Sequence, residues 1–462
     1  MIRLFKHYVP NAVLLLGFLD IILLVVSAEA GWVFRAHQAG LDIGPVSTRL
    51  PQLASFALCL ELAMIAVGVY GSDSLQSLRF AAARLLVAIS LGTMFLSVIS
   101  FLIPPLAFWR SNLLYAMLIA IVLLTALRVL LGKTLGSQVF KRRVVVLGAG
   151  ARAARIKALS RAPGAGFAVV GYVSMSEAAR VIPEAIARDA IYNLADHVVL
   201  LNASEVVLAL EERRNALPLK DLLRVKTTGV HVNEISTFLE RETGRVDLDS
   251  VNPSWLIFSD GFSSGRIFSA MSKRAFDVIA SLALLTLTFP VIALTALLVK
   301  IDSRGPAFYR QRRVGLYSVG FDIIKLRSMR IDAEAAGTAL WAEKNDPRVT
   351  RVGRIIRKLR IDELPQCWSV LKGEMSFVGP RPERPQFVAD LETQLPYYAE
   401  RHMVKPGITG WAQINYPYGA SIDDARQKLE YDLYYAKNYS PFLDLLILLQ
   451  TIRVVLWPEG AR

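Results

Sequence analysis

Four stretches of nearly unbroken apolar residues open the chain, at 11–30, 50–70, 84–103 and 112–131. Each approaches the ~20 residues a helix needs to cross a bilayer, so the pattern predicts four membrane helices. Ala28-Glu29-Ala30 resembles a signal cleavage site, but the run before it is long for a signal segment and contains Asp20, so the first helix is read as retained. Arg3, Lys6, Arg79, Arg84, Lys133, Lys141, Arg142 and Arg143 flank one side of the runs, against Arg35, Arg49 and Arg110 on the other. Excess positive charge marks the cytoplasmic side, which puts both ends of this bundle there. Asp20, Glu61 and Arg128 interrupt the apolar runs; they either pair with one another inside the bundle or line a lipid or ion path.

After Arg143 the pattern shortens. Val144-Val145-Val146-Leu147 reads as a buried strand running into Gly148-Ala149-Gly150-Ala151-Arg152-Ala153-Ala154, a G-x-G-x-x-A turn that opens a helix. Further strands are predicted at 167–173 and 205–210, so 141–250 reads as a Rossmann-like α/β domain. The second strand ends in Gly171-Tyr172-Val173-Ser174-Met175-Ser176, with Glu177 only later, and lacks the acidic residue that would hold a ribose. The domain is therefore read as noncatalytic, a spacer or a dimerisation module that makes a homodimer one expected assembly. Gly261-Phe262-Ser263-Ser264-Gly265 matches a hydrolase nucleophile turn, yet the one histidine beyond it is His402, and we read it as part of a linker over 251–270.

A fifth apolar run, 278–299, is entered through Lys273-Arg274-x-x-Asp277, whose spacing places all three charges on one helix face. Pro290 lacks an N–H and its ring clashes with the Thr286 carbonyl, which predicts either a break, with the freed groups satisfied by the Thr286 and Thr288 hydroxyls, or a proline-kinked fifth crossing. Farther on, Thr350 is a candidate cap for a helix reaching Arg360. Val352, Ile355, Ile356 and Leu359 recur there at helical spacing, opposite Arg351, Arg354, Arg357 and Lys358, a basic amphipathic pattern suited to a membrane surface. Asp362 is read as the cap of a short helix over 363–371, with Gly373 just past its end. Lys325 and Arg327 alternate with Ile324 and Leu326, as on one face of a strand. The run 442–457 reads as an interfacial helix with Trp457 at headgroup depth.

Composition agrees with membrane residence: 53% of the 462 residues are hydrophobic and mean hydropathy is +0.40. The formal net charge of +14 sits beside membrane segments and around an acidic pair, not on an aromatic-studded face, which argues for anionic lipid and a nucleotide diphosphate and against nucleic acid. Two cysteines, Cys59 and Cys367, cannot build a disulfide framework or a cysteine-rich zinc site.

The chemistry concentrates at Asp362 and Glu363. They follow the arginine-rich run 348–360 and precede Gly379-Pro380-Arg381-Pro382. Arginine forks match phosphate oxygens and carboxylates supply hard oxygens to Mg2+, so this is a candidate phosphoryl-transfer site. Proline on both sides of Arg381 restricts its backbone and presents the fork at low entropic cost.

From Lys273 onward the words Lys273-Arg274-x-x-Asp277, 321–329 (FDIIKLRSM), Asp362-Glu363-Leu364-Pro365-Gln366, Gly379-Pro380-Arg381-Pro382 and Lys405-Pro406-Gly407-Ile408-Thr409-Gly410 stand in the order found in the bacterial sugar transferases, the large monotopic phosphoglycosyl transferases that this chain resembles. The resemblance implies three parts: a four-helix transmembrane bundle (1–140), the Rossmann-like domain, and an α/β-type monotopic catalytic domain (271–462) with a re-entrant membrane helix near 273–301. It implies transfer of a phosphosugar from a UDP-sugar to polyprenol (undecaprenyl) phosphate, with loss of UMP, as the first membrane step of exopolysaccharide or other surface glycan synthesis. Asp362 would be the nucleophile that carries the phosphosugar; Asp362 and Glu363 would hold Mg2+; Arg381, Lys325, Arg327, Arg354 and Arg357 would bind phosphate. Lys273, Arg274, Asp277 and Pro290 would set the helix in the bilayer and help receive the polyprenol phosphate. A re-entrant helix would keep the catalytic domain on the cytoplasmic face of the bacterial inner membrane, although Phe289 stands where relatives commonly have Ser before the proline. Two other readings stay open. A nucleotide-sugar dehydratase or reductase needs Tyr-x-x-x-Lys, and Tyr172 and Tyr192 are followed at that spacing by Ser176 and Asp196; a noncatalytic membrane scaffold leaves the charged constellation without a purpose.

Overall fold

The computed structural model describes residues 2–4, 7–9, 11–70, 78–134, 141–162, 165–175, 180–211, 218–251, 267–331, 348–417, 419 and 421–456. It divides between Gly244 and Arg245 into two compact units. The G-x-S-x-G stretch, Glu177 and Trp457 lie outside the described residues.

In the first unit the apolar runs form α1 (Asn11–Ala39), α2 (Leu50–Val67), α3 (Leu78–Leu102) and α4 (Arg110–Thr134). They share one core, to which α1 gives Leu24 and Ala28, α2 Phe56, Leu60 and Met64, α3 Leu85, Ile89 and Leu96, and α4 Ala116, Ala120 and Leu124. Their other faces leave Phe18, Leu58, Leu86 and Val122 exposed, as expected of helices solvated by lipid rather than water. Five helices among the described residues are long and apolar enough to cross a membrane, four here and a fifth in the second unit. The chain is a membrane protein that also carries α/β structure.

The charges inside the apolar runs are paired. Arg128 grips both oxygens of Asp20, at 2.6 and 2.7 Å. The Tyr70 hydroxyl lies 2.8 Å from Asp20 Oδ2 and 2.6 Å from Glu61 Oε1, which links α1, α2 and α4.

The α/β part is a parallel five-stranded sheet of β1 (Arg142–Leu147), β2 (Phe167–Ser174), β3 (Ile186–Ala187), β4 (Glu205–Leu208) and β5 (His231–Glu234), in spatial order β3-β2-β1-β4-β5. This is the doubly wound order of a Rossmann-like sheet. Val144 and Val146 feed one core and Val145 and Leu147 the other, so β1 is covered on both faces, which is why it reads as an unbroken apolar run.

The second unit is built around α9 (Ile267–Asp302), the helices α5 to α8 being Ala151–Arg161, Leu194–Leu200, Leu219–Thr227 and Ile235–Thr243 of the Rossmann-like domain. A hairpin of β6 (Phe308–Val314) and β7 (Gly320–Leu326) follows, then α10 (Arg351–Lys358), a 3-10 turn (Ile361–Gln366), α11 (Cys367–Lys372) and β8 (Ser376–Val378). Helix α12 (Pro385–Gln394), β9 (Gly407–Thr409), α13 (Trp411–Asn415), α14 (Ile422–Asn438) and α15 (Pro441–Leu456) complete it. Its core joins Phe321, Ile323, Val370, Phe377, Trp411, Leu433, Tyr434, Leu443 and Ile447. The run read as an interfacial helix therefore has one face inside the protein: α15 buries Leu443 and Ile447 completely.

The break foreseen at Pro290 does not interrupt the helical assignment, which continues across it from Ile267 to Asp302. The Thr288 hydroxyl bonds the Leu284 carbonyl at 2.6 Å and so is not spent on the Thr286 carbonyl that Pro290 deprives of a donor.

Because Asp20 and Arg128 are both buried, Arg128→Met should destabilise the protein by about 3–5 kcal/mol by stranding Asp20, whereas Asp20→Leu combined with Arg128→Met should recover most of the loss. Thermal unfolding of the variants in detergent checks this. A double variant no more stable than the single one would show that the pair holds the helices by more than mutual neutralisation.

Candidate active site

Thr350 does cap α10, its hydroxyl accepting from Gly353 N at 2.9 Å. The helix ends at Lys358, and Arg360 then enters the left-handed region (φ 58°), which starts the 3-10 turn one residue before the acidic pair. This corrects the reading of Asp362 as a cap: the cap position of the turn is Arg360, and Asp362 lies inside it. Asp362 is buried, and its Oδ1 has no hydrogen-bond partner. Burial, and then repulsion by Glu363, push its carboxyl above the usual carboxylate range, against the pull of Lys325, Arg357 and Arg360.

Glu363 is held very differently. Lys325 Nζ lies 3.0 Å and Arg381 Nη2 3.2 Å from its Oε1, and Arg360 Nη1 lies 3.6 Å from its Oε2. Burial alone would push this carboxyl up; Arg381, Lys325 and Arg360 outweigh it and hold the group well below the usual range. Adjacent carboxylates thus acquire separate roles from their surroundings. One is a neutralised anchor for cations, the other a buried oxygen still able to accept a bond.

The arginine loop is fixed by its backbone. Strands β8 and β9 pair in parallel, Ser376 opposite Gly407 and Val378 opposite Thr409. Beyond them Gly379 N donates to Thr409 O and Gly407 N to Pro380 O, both at 2.9 Å. The two loops touch so closely that a Cβ on Gly407 would stand 2.1 Å from Gly379 N, which accounts for glycine in both words. From behind, Arg401 donates to the Arg381 carbonyl at 3.1 Å and Arg313 to that of Pro382 at 3.0 Å. Arg401 is itself buried against Asp432 at 2.7 Å.

The structure therefore gathers Asp362, Glu363, Lys325 and Arg381, with Arg357 near enough to pull on Asp362. Arg354 is exposed on α10. Arg327 is a correction. Strand β7 ends at Leu326, so the alternation that would align Arg327 with Lys325 stops there, and Arg327 turns back to donate to the carbonyls of Ser303 (2.8 Å) and Arg304 (2.7 Å) just past α9. Lys273 donates to Val378 O at 3.0 Å and pairs with Asp444 at 2.6 Å; Arg274 donates to the carbonyls of Val370 and Leu371. Asp277 accepts from Ser376 Oγ at 3.0 Å and Phe377 N at 3.1 Å. Sequence reasoning missed Arg360, Arg313 and Arg401. Only Arg360 left a signal, its spacing of three from Glu363.

The glycine turn of the first unit is occupied by the chain itself. Gly148 adopts φ +136°, and Glu211 Oε1 accepts from Arg152 N at 2.9 Å, at the helix N-terminus where an anion would sit. A Cβ on Gly150 would stand 2.6 Å from the same carboxylate.

Comparison with known proteins aligns residues 268–458 with the bacterial sugar transferase family and residues 65–225 with a family described as a CoA-binding domain. The chain is 46% identical over 232 residues to a UDP-N-acetylgalactosamine-undecaprenyl-phosphate N-acetylgalactosaminephosphotransferase of Aeromonas hydrophila, a match covering 50% of this chain and 53% of that protein. It is 44% identical over 194 residues to an uncharacterised sugar transferase of Bacillus subtilis, covering 41% of this chain and 90% of the relative. A UDP-glucose:undecaprenyl-phosphate glucose-1-phosphate transferase of Caulobacter vibrioides is 40% identical over 198 residues, with 42% and 74% covered.

A raised carboxyl means that the fold disfavours the charge Asp362 carries at neutral pH. Asp362→Asn should accordingly raise the unfolding midpoint. The gap should narrow as pH falls through the raised folded value, where the folded carboxyl takes up its proton first, and vanish below the unfolded value of about 3.9. Differential scanning fluorimetry across pH checks it; an Asn variant less stable at neutral pH would mean that attraction to the surrounding cations outweighs burial.

Proposed function

The chain belongs to the bacterial sugar transferase family, and on that premise we propose that it transfers a phosphosugar from a UDP-sugar to polyprenol phosphate through a covalent intermediate on Asp362. The observation that carries this reading is the buried Asp362 oxygen without a partner, beside a Glu363 that fixes Lys325, Arg381 and Arg360 in place. An Asp362 oxygen attacks the sugar-bearing phosphorus, a P–O bond forms, and the P–O bond to UMP breaks, UMP leaving with the electron pair. An oxygen of polyprenol phosphate then attacks the same phosphorus, and the bond to Asp362 breaks to restore the carboxylate. Lys325 and Arg381 face the charge that builds on the phosphoryl oxygens, already positioned by Glu363 and by the loop backbone.

Mg2+ fits this arrangement through Asp362, whose Oδ1 is open, together with substrate phosphate oxygens; Glu363 is already engaged by three cations. When bound, the ion neutralises diphosphate charge and eases UMP departure. Asp362, Lys325 and Arg381 orient the phosphoryl group.

A re-entrant helix is supported by where α9 is tied. Near its start, Lys273, Arg274 and Asp277 bond to β8 and α11; at its end, Asp302 accepts from Val352 N at 3.0 Å and Arg327 holds the next carbonyls. Both ends thus meet the same compact unit, while Leu287 and Phe289 beside Pro290 are exposed. We read the four first-unit helices as a transmembrane bundle and the catalytic unit as cytoplasmic at the bacterial inner membrane. The Rossmann-like domain serves in assembly rather than chemistry, a reading supported by Glu211, which takes the place at the glycine turn where a phosphate would sit.

The test is UMP release from a panel of UDP-sugars, with polyprenol phosphate as acceptor. The wild type should release UMP with one or a few sugars, and Asp362→Asn should lose at least about a thousandfold of that rate. Glu363→Gln, which frees Lys325, Arg381 and Arg360 from their shared anchor, should lower the rate with every accepted sugar. Activity retained by Asp362→Asn would contradict the assignment.

A further inference from the structure

We propose that Asp277, a buried residue of the membrane helix, is a positioning residue for the transfer: its carboxylate holds β8 and through it sets Arg381 against Glu363. The inference rests on the reading of Arg381 as a phosphate ligand. Asp277 is 2% exposed, which removes it from the lipid headgroups that its place near the start of α9 suggests. One oxygen, Oδ1, accepts from both Ser376 Oγ and Phe377 N. One helical turn earlier, Lys273 Nζ donates to Val378 O. All three residues of β8 are therefore fastened by two side chains of a single turn of α9.

Val378 leads directly into Gly379-Pro380-Arg381-Pro382, where proline on either side of Arg381 leaves the loop little freedom to absorb a shift. Arg381 meets Glu363 at 3.2 Å, a distance at which a small displacement costs the bond. Arg274 fastens the other side of the site by donating to the carbonyls of Val370 and Leu371, in the helix that follows the acidic turn. The membrane helix thus holds the elements that carry the phosphate-gripping arginine and the acidic pair, and the two face each other only while that grip persists.

Both Asp277 bonds need an acceptor and neither needs a charge, which makes the test specific. In the full-length protein in lipid nanodiscs, Asp277→Asn keeps an acceptor at Oδ1 and should stay within about threefold of the wild-type kcat, since a neutral acceptor loses only part of a hydrogen bond. Asp277→Leu should lose roughly a hundredfold in kcat, the scale of a displaced reacting group, with the KM for polyprenol phosphate nearly unchanged. Ser376→Ala, which removes one bond and leaves α9 intact, should fall between them.

Hydrogen exchange read at Phe377 and Val378 supplies an arm that does not depend on turnover: protection should be lost in Asp277→Leu and kept in Asp277→Asn, with protection in α14 unaltered. An Asn variant as impaired as the Leu variant would show that charge matters and overturn the proposal, as would a Leu defect confined to the KM for polyprenol phosphate, or Phe377 protection indifferent to residue 277. A wild type that releases no UMP would instead defeat the proposed function, and exchange would still decide the role of Asp277.

Discussion

Two adjacent carboxylates, Asp362 buried and Glu363 nearly so, repel each other, and the candidate site of the second unit is arranged to offset that repulsion. The cations that do so come from separate segments: Lys325 from β7, Arg360 from the cap of the 3-10 turn, Arg381 from the loop after β8. Lys325, the least exposed of the three, is the costliest to withdraw, whereas the exposed Arg360 at 3.6 Å contributes least. The glycine contact between the two loops, the Arg401–Asp432 pair behind them and the membrane-helix bonds to β8 all keep these cations where they are needed. Once Glu363 has taken that charge, Asp362 is left as a buried carboxyl held above the usual range.

The same rule governs the first unit, where no water compensates an isolated charge. Asp20 and Arg128 sit within apolar helices because each neutralises the other, and Tyr70 bridges Asp20 to Glu61. Electrostatic satisfaction there supplies cohesion between helices whose outer faces are no more apolar than lipid.

Much of this was legible in the sequence. Apolar runs of membrane length became helices α1 to α4, and Val144 to Leu147 became the central strand of a parallel sheet. The acidic pair and the arginine between prolines stood out because their chemistry is local. What the sequence concealed was tertiary. Arg327 looks equivalent to Lys325 only while strand alternation lasts, and the strand stops between them. Asp362 looks like a cap until Arg360 turns left-handed. Glu211 carries no mark of the glycine turn it fills, some sixty residues upstream. Arg313 and Arg401 act through backbone carbonyls of a loop far along the chain, a role no spacing rule reveals.

The central claim is that Asp362 itself receives the phosphosugar. Intact-protein mass spectrometry after brief incubation with the accepted UDP-sugar, with no polyprenol phosphate present, tests it most directly. The account requires a mass gain of one phosphosugar, mapped to the peptide bearing Asp362 and discharged when polyprenol phosphate is added. Unmodified protein that releases UMP only when the lipid acceptor is present would contradict it and point to direct transfer between the two bound substrates.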